Sequence, residues 1–106
     1  PSLSIAADWV PTPEQIKEAE MTRAAYLKIG MDKVEPEEVI AYLAKMDGGE
    51  KEVTQAQKDA MACVIKKGQY IQLEAPIEVL ARQLSDEAFK EELDAKHAKE
   101  CGIKVD

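Results

Sequence analysis

Helix punctuation constrains this chain more than any other feature. Thr12-Pro13-Glu14-Gln15 and Thr54-Gln55-Ala56-Gln57 each set a threonine three residues ahead of a glutamine. In that spacing the hydroxyl accepts from the third helical amide while the glutamine side chain reaches back to the cap amide, so both segments start helices. Pro13 suits the first helical position. Ile16, Ala19, Arg23, Tyr26 and Leu27 then follow helical spacing, and Gly30 is a natural stop. A second helix is predicted from Pro36, with Glu37 and Glu38 at its positive end, a stripe of Val39, Ile40, Leu43 and Met46, and Gly48-Gly49 as its end. The third runs from Thr54 through Ala56, Ala60, Met61, Cys63, Val64 and Ile65 to Lys66-Lys67-Gly68, followed by a short apolar link of Tyr70, Ile71 and Leu73. The fourth opens at Pro76 and carries Ile77, Val79, Leu80 and Leu84. The fifth has Ser85 as its cap, Asp86 and Glu87 in its first turn, and Phe89, Leu93, His97 and Cys101 along its stripe, with Gly102 ending it.

No run alternates like a strand for long. The prediction is therefore all-α, a single helical domain over residues 1–106, built as a compact bundle of about five to six short helices. Residues 1–11 read as an irregular arm, with Leu3, Ile5, Trp9 and Val10 available to contact the body.

Composition narrows the function classes. The chain has 106 residues, 45% of them hydrophobic, which suits one modest core. Its net charge of −7 disfavours nucleic-acid binding, which rests on clustered Lys and Arg. No apolar run approaches the roughly 20 residues of a membrane span. Two cysteines permit one disulfide or two free thiols and do not settle the compartment. The chain opens on Pro1 rather than Met, which reads as a processed or trimmed start.

Chemistry-bearing clusters are few. His97 and Cys101 share a helix face, but zinc needs three or four ligands and no second histidine exists to help. Cys63 or Cys101 with His97 as base has the residue types of a thiol nucleophile, yet nothing in the sequence places them together, and Cys63 sits among Ala, Met, Val and Ile. Asp47-Gly48-Gly49-Glu50 is acidic and turn-like but lacks the alternating oxygen ligands of a calcium loop. There is no phosphate-binding glycine motif, and the Glu and Lys runs are solvated helix faces. No cofactor, metal or enzymatic activity is expected. What remains is apolar chemistry: four Met, three Tyr, one Trp and many aliphatics, serving either an ordinary core or the walls of an apolar cavity.

In that setting the sequence resembles the insect odorant-binding proteins, the pheromone and general odorant-binding family. Ala7-Asp8-Trp9-Val10-Pro11 is similar to the mature start of some hymenopteran members. Ala25 to Gly30, then Glu37-Glu38-Val39, resembles the family segment from the first cysteine through a Gly-containing turn into the second helix. Cys63-Val64-Ile65-Lys66-Lys67-Gly68 is similar to the segment beginning at the third cysteine, and Cys101 follows 38 positions later, a spacing comparable to that of the third and fourth. The likeness covers roughly residues 7 to 101, and the order of the motifs gives it weight. Members commonly carry six cysteines in three disulfides. Here the first falls near Ala25 or Tyr26, the second at Asp59, and the fifth and sixth have no counterpart, nor has the family's last helix.

The resemblance implies a secreted, non-enzymatic carrier that holds a small hydrophobic ligand in a helical cavity. Lining candidates from helix-face arithmetic are Tyr26, Ile40, Leu43, Met46, Met61, Val64, Ile65, Tyr70, Ile71, Leu80, Leu84 and Phe89, with Tyr26, Tyr42 and Tyr70 as hydroxyl donors. Because the family pairs its first cysteine with the third and its fourth with the sixth, Cys63 and Cys101 would both lack their usual partners. They then pair with each other, which a small secreted domain favours, or remain free, or Cys101 bridges two chains. A second copy closing the cavity as a homodimer is one arrangement consistent with the shorter chain. The alternative function is a small helical protein–protein interaction module with an apolar groove, and a third is a thiol or metal enzyme built on His97 and Cys101.

Overall fold

The computed structural model describes residues 9–46 and 53–104, and every regular element among them is helical. In order they are α1 (Pro13–Lys28), a 3₁₀ turn (Met31–Lys33), α2 (Pro36–Met46), α3 (Gln55–Leu73), α4 (Ile77–Ser85) and α5 (Glu87–Glu100). The fold is all-α. Leu3, Ile5, the Gly48-Gly49 stop and the acidic turn at 47–50 lie outside the described residues.

Both capping boxes form. Thr12 Oγ1 accepts from the Gln15 amide at 3.1 Å while Gln15 Oε1 accepts from the Thr12 amide at 2.9 Å. Thr54 and Gln57 repeat the pair at 3.1 and 2.9 Å. At the other ends, Gly30 and Gly102 take φ of 83° and 82°, the left-handed conformation that lets the chain turn away while its amides close on the last carbonyls. After α5 the Ile103 amide donates to Ala98 O at 2.8 Å and Gly102 to Lys99 O at 3.1 Å.

Two boundaries differ from the sequence reading. Gly68 does not end α3, and Tyr70, Ile71 and Leu73 are helical rather than a link. A glycine costs a helix interior only about 0.5–1 kcal/mol, and the next turn buries Ile71 to 6% exposure. The stop comes instead before Pro76, which disfavours helix at Ala75. The cap of α5 is Asp86, not Ser85: Ser85 is still the last residue of α4, and Asp86 Oδ1 accepts from the Phe89 amide at 3.1 Å. In the arm, Trp9 packs on the core, whereas Val10 points into solvent.

The core lies where α1, α3, α4 and α5 meet. Ala19, Ala75 and Ala81 are essentially fully buried and, being small, let backbones approach closely around Leu80, Phe89, Leu93 and Ile71. Burying side chains of that size stabilises by about 1.5–3 kcal/mol each. Two arginines organise the edges of this core. Arg23, on the inward stripe of α1, donates to the carbonyls that end α3: Nε to Gln72 O at 3.0 Å, and Nη2 to Ile71 O at 3.1 Å and Ala75 O at 2.6 Å. One cation thus satisfies a helix C-terminus and complements its dipole. Arg82 of α4 lies over the Phe89 ring at 4.6 Å and 5.8 Å from the Trp9 ring, with Nε on Asp86 Oδ2 at 3.2 Å. It ties the arm, α4 and the start of α5 together.

A disulfide joins Cys63, midway along α3, to Cys101 at the C-cap of α5, with Cα atoms 5.7 Å apart. Neither cysteine carries a free thiol. The pairing is intramolecular.

Helix α2 stands outside this body. Among the described helices it touches only α3. Its one buried aliphatic is Ile40, and Gln69 Nε2 donates to Val34 O at 3.1 Å just ahead of it. The whole measures 46 × 36 × 19 Å along its principal axes. Nineteen ångströms is roughly two helix diameters, so the spaces beside α2 open to solvent. No described helix is long and apolar enough to cross a membrane.

Candidate functional site

One sizeable concavity among the described residues follows from the light packing of α2. Between α2 and the first half of α3 lies a groove of about 650 Å³. Ile40, Ala41, Ala44, Val53 and Ala62 form its apolar surface, and Glu37, Gln55, Lys58 and Asp59 its rim. Helical spacing puts Ile40 and Ala44 of α2 on one face, and alanines there and at position 62 leave space that longer side chains would fill. On the rim, Gln55 Nε2 donates to Asp59 Oδ1 at 2.9 Å. An apolar interior with a few polar groups at its margin, in a volume of this size, is the usual form of a small-molecule site.

Two smaller cavities flank the same framework. Met31, Val34, Val39, Ile65, Gly68, Gln69 and Gln72 enclose about 290 Å³ on the other side of α2. Tyr26, Gln72, Leu80, Gln83, Leu84 and Lys90, drawn from α1, α3, α4 and α5, enclose about 320 Å³. Beside the latter, Gln83 Oε1 is sealed from water without a hydrogen-bond partner among the described residues. Such an orphan acceptor costs about 1–3 kcal/mol.

The structure distributes the twelve candidate lining residues rather than gathering them. Ile40 lines the large groove, Ile65 the slot behind α2, and Tyr26, Leu80 and Leu84 the four-helix cavity. Ile71 and Phe89 belong to the core, as does Leu80. Met61 and Val64 are half-buried on α3. Leu43, Met46 and Tyr70 are exposed, as is Tyr42. Sequence reasoning passed over Ala41, Ala44 and Ala62, because it sought bulk where the groove is made by its lack. The available signal was the pair Ala41 and Ala44 facing the alanine-rich start of α3.

Neither cysteine offers a free thiol. Cys101 and Cys63 are joined, and His97 is half-buried on α5 beside them. Burial, and then the Lys67 ammonium, hold its imidazole below the ordinary value of 6.5. Lys67 itself pairs with Glu100 at 3.3 Å. Among the described residues, no three of His, Cys, Asp and Glu come together to hold a metal ion. Comparison with family models, with curated proteins and with solved structures finds no match for this chain.

Proposed function

We propose that this protein is a secreted, non-enzymatic carrier of small hydrophobic molecules, of the odorant-binding type with a reduced cysteine set, and that the α2–α3 groove seats its ligand. The observation that carries this reading is the groove itself, a space of about 650 Å³ with an apolar surface and a polar margin. Apolar area leaving water drives binding at roughly 25 cal/mol per Å², and Lys58 or Gln55 orients a polar end. The cysteine spacing and segment order that resemble odorant-binding proteins support it, as does a disulfide, a bond that persists in oxidising compartments. The test is displacement of N-phenylnaphthylamine fluorescence. The protein binds the probe at micromolar concentration, and Ala41→Phe, which fills the groove from its lip, weakens binding about tenfold. No displaceable probe binding would overturn the carrier.

One observation favours a second reading. Tyr42, Leu43 and Met46 leave a bare apolar strip along α2, exposed at 64%, 46% and 68%. Such a strip suits a protein partner or a second copy. Sedimentation at micromolar concentration distinguishes the two readings: a self-associating module is a dimer that takes up no probe.

A further inference from the structure

We infer that the outer face of α2 docks a second copy of this chain, with the two α2 helices paired antiparallel. The inference rests on the reading of the bare α2 strip as a docking face, and not on the carrier. Val39, Tyr42 and Met46 recur at intervals of three and four residues, the spacing of a seam along which one helix meets another, with Leu43 at its edge. Tyr42 and Met46 are large and more than half exposed. Among the described helices α2 touches only α3, so none of them covers the seam. Val39 belongs also to the slot of about 290 Å³ behind α2, which Ile65 and Gly68 bound from α3. Seam and slot are thus one continuous surface, and at Gly68 a Cβ would meet nothing within 4 Å. Ile40, Ala41 and Ala44 line the α2–α3 groove and lie off the seam, so a copy seated there leaves the groove open.

Charge selects the occupant. Glu38 and Lys45 are both exposed and stand two helical turns apart, so they share one flank of the seam, the acid in the first turn of α2 and the base in the last. The other flank carries Leu43. When two such helices pair antiparallel, like flanks meet across the seam. Glu38 of each copy then comes beside Lys45 of the other, twice by the two-fold symmetry, and the two Leu43 side chains meet on the far side. A parallel pair brings unlike flanks together, so each charge faces leucine and the helix dipoles lie side by side in the same sense. A flank that complements its own reversal is what a self-pairing helix requires. The seam is only the 11 residues of α2, roughly 16 Å of helix, so the association is weak.

The test is sedimentation equilibrium of the full chain at low salt. The wild type dimerises with a dissociation constant of roughly 10–100 μM, as a small interface does. Glu38→Lys and Lys45→Glu each set like charges against one another at both contacts, and each weakens self-association about tenfold or more. An equimolar mixture of these two variants restores attraction at both contacts and forms a heterodimer within about threefold of wild-type affinity. Tyr42→Lys places a charge within the seam and abolishes the dimer. All three positions are exposed, so the variants fold, which circular dichroism checks. A wild type that stays monomeric at about 500 μM overturns the inference. A dimer that survives Tyr42→Lys forms elsewhere, and it overturns both the inference and the strip as a docking face. A dimer lost with Tyr42→Lys but indifferent to the charge variants and their mixture keeps the docking face and overturns the antiparallel pairing.

Discussion

Arg23 is the side chain whose removal tests the packing argument most directly. Its guanidinium serves three carbonyls at the end of α3, at 2.6 to 3.1 Å, across nearly half the chain. Arg23→Met keeps an unbranched stem against the core and deletes only the donors. A hydrogen bond from a charged donor contributes about 1.5–3 kcal/mol net. Three bonds sharing one partly exposed head are not independent, so the loss is set at about 3 kcal/mol rather than their sum. That is a large part of the 5–15 kcal/mol typical of a domain this size. At about 4–8 °C per kcal/mol, the melting temperature falls by roughly 12–24 °C. Arg23→Lys, with a point charge that cannot fork to three acceptors, recovers less than half of it. Calorimetric melting of the three proteins at equal pH and salt is the assay. A methionine variant that melts within about 2 °C of wild type would refute the reasoning, because the carbonyls would then be satisfied by water at no cost.

Removing the Cys63–Cys101 bond by double alanine substitution frees a 38-residue loop and lowers stability by about 4 kcal/mol on loop-closure entropy, read as a shift in urea midpoint. Gly68→Ala stabilises by about 0.5–1 kcal/mol, since a Cβ there meets nothing within 4 Å and the position is helical, whereas Gly30→Ala destabilises, its φ being +83°; thermal melts of opposite sign check the pair. The folded state holds His97 below its ordinary 6.5, so the unfolded chain binds more protons beneath that pH and stability falls as pH drops through about 6.5; His97→Gln removes that part of the slope. Affinity for the naphthylamine probe changes little over the same interval, because the single histidine does not line the α2–α3 groove, and a large loss of affinity between about pH 7.5 and pH 5 would contradict its placement there.

The helical plan was legible because its signals are local. Thr12 with Gln15, Thr54 with Gln57, and the glycines at 30 and 102 each act within a single turn, so the sequence alone reports them. Gly68 and Ser85 misled for the complementary reason. Whether a helix continues through a tolerated glycine depends on burial of Ile71, and which of two adjacent cap residues is used depends on where α4 ends. The all-α class needed none of that detail. The pairing of Cys63 with Cys101 stayed open among alternatives, since separation along the chain says nothing of the 5.7 Å between their Cα atoms. Arg23 carried a readable hint, a cation on an inward stripe, although its three acceptors lie about fifty residues away. The groove was the least legible feature. Apolar stripes announce what can be buried, and a concavity arises where two short alanine faces fail to fill the space between helices.

Because α2 leans on one neighbour only, its detachment breaks no contact in the body formed by the other four helices. Amide protons of α2 therefore exchange through a local opening, far faster than those of α4, which unprotect only on global unfolding. The rate at which a guest enters or leaves the groove follows that local equilibrium. Mutations that stiffen the body, through Arg23 or the disulfide, leave residence time unchanged, while a single substitution at Ile40 alters it.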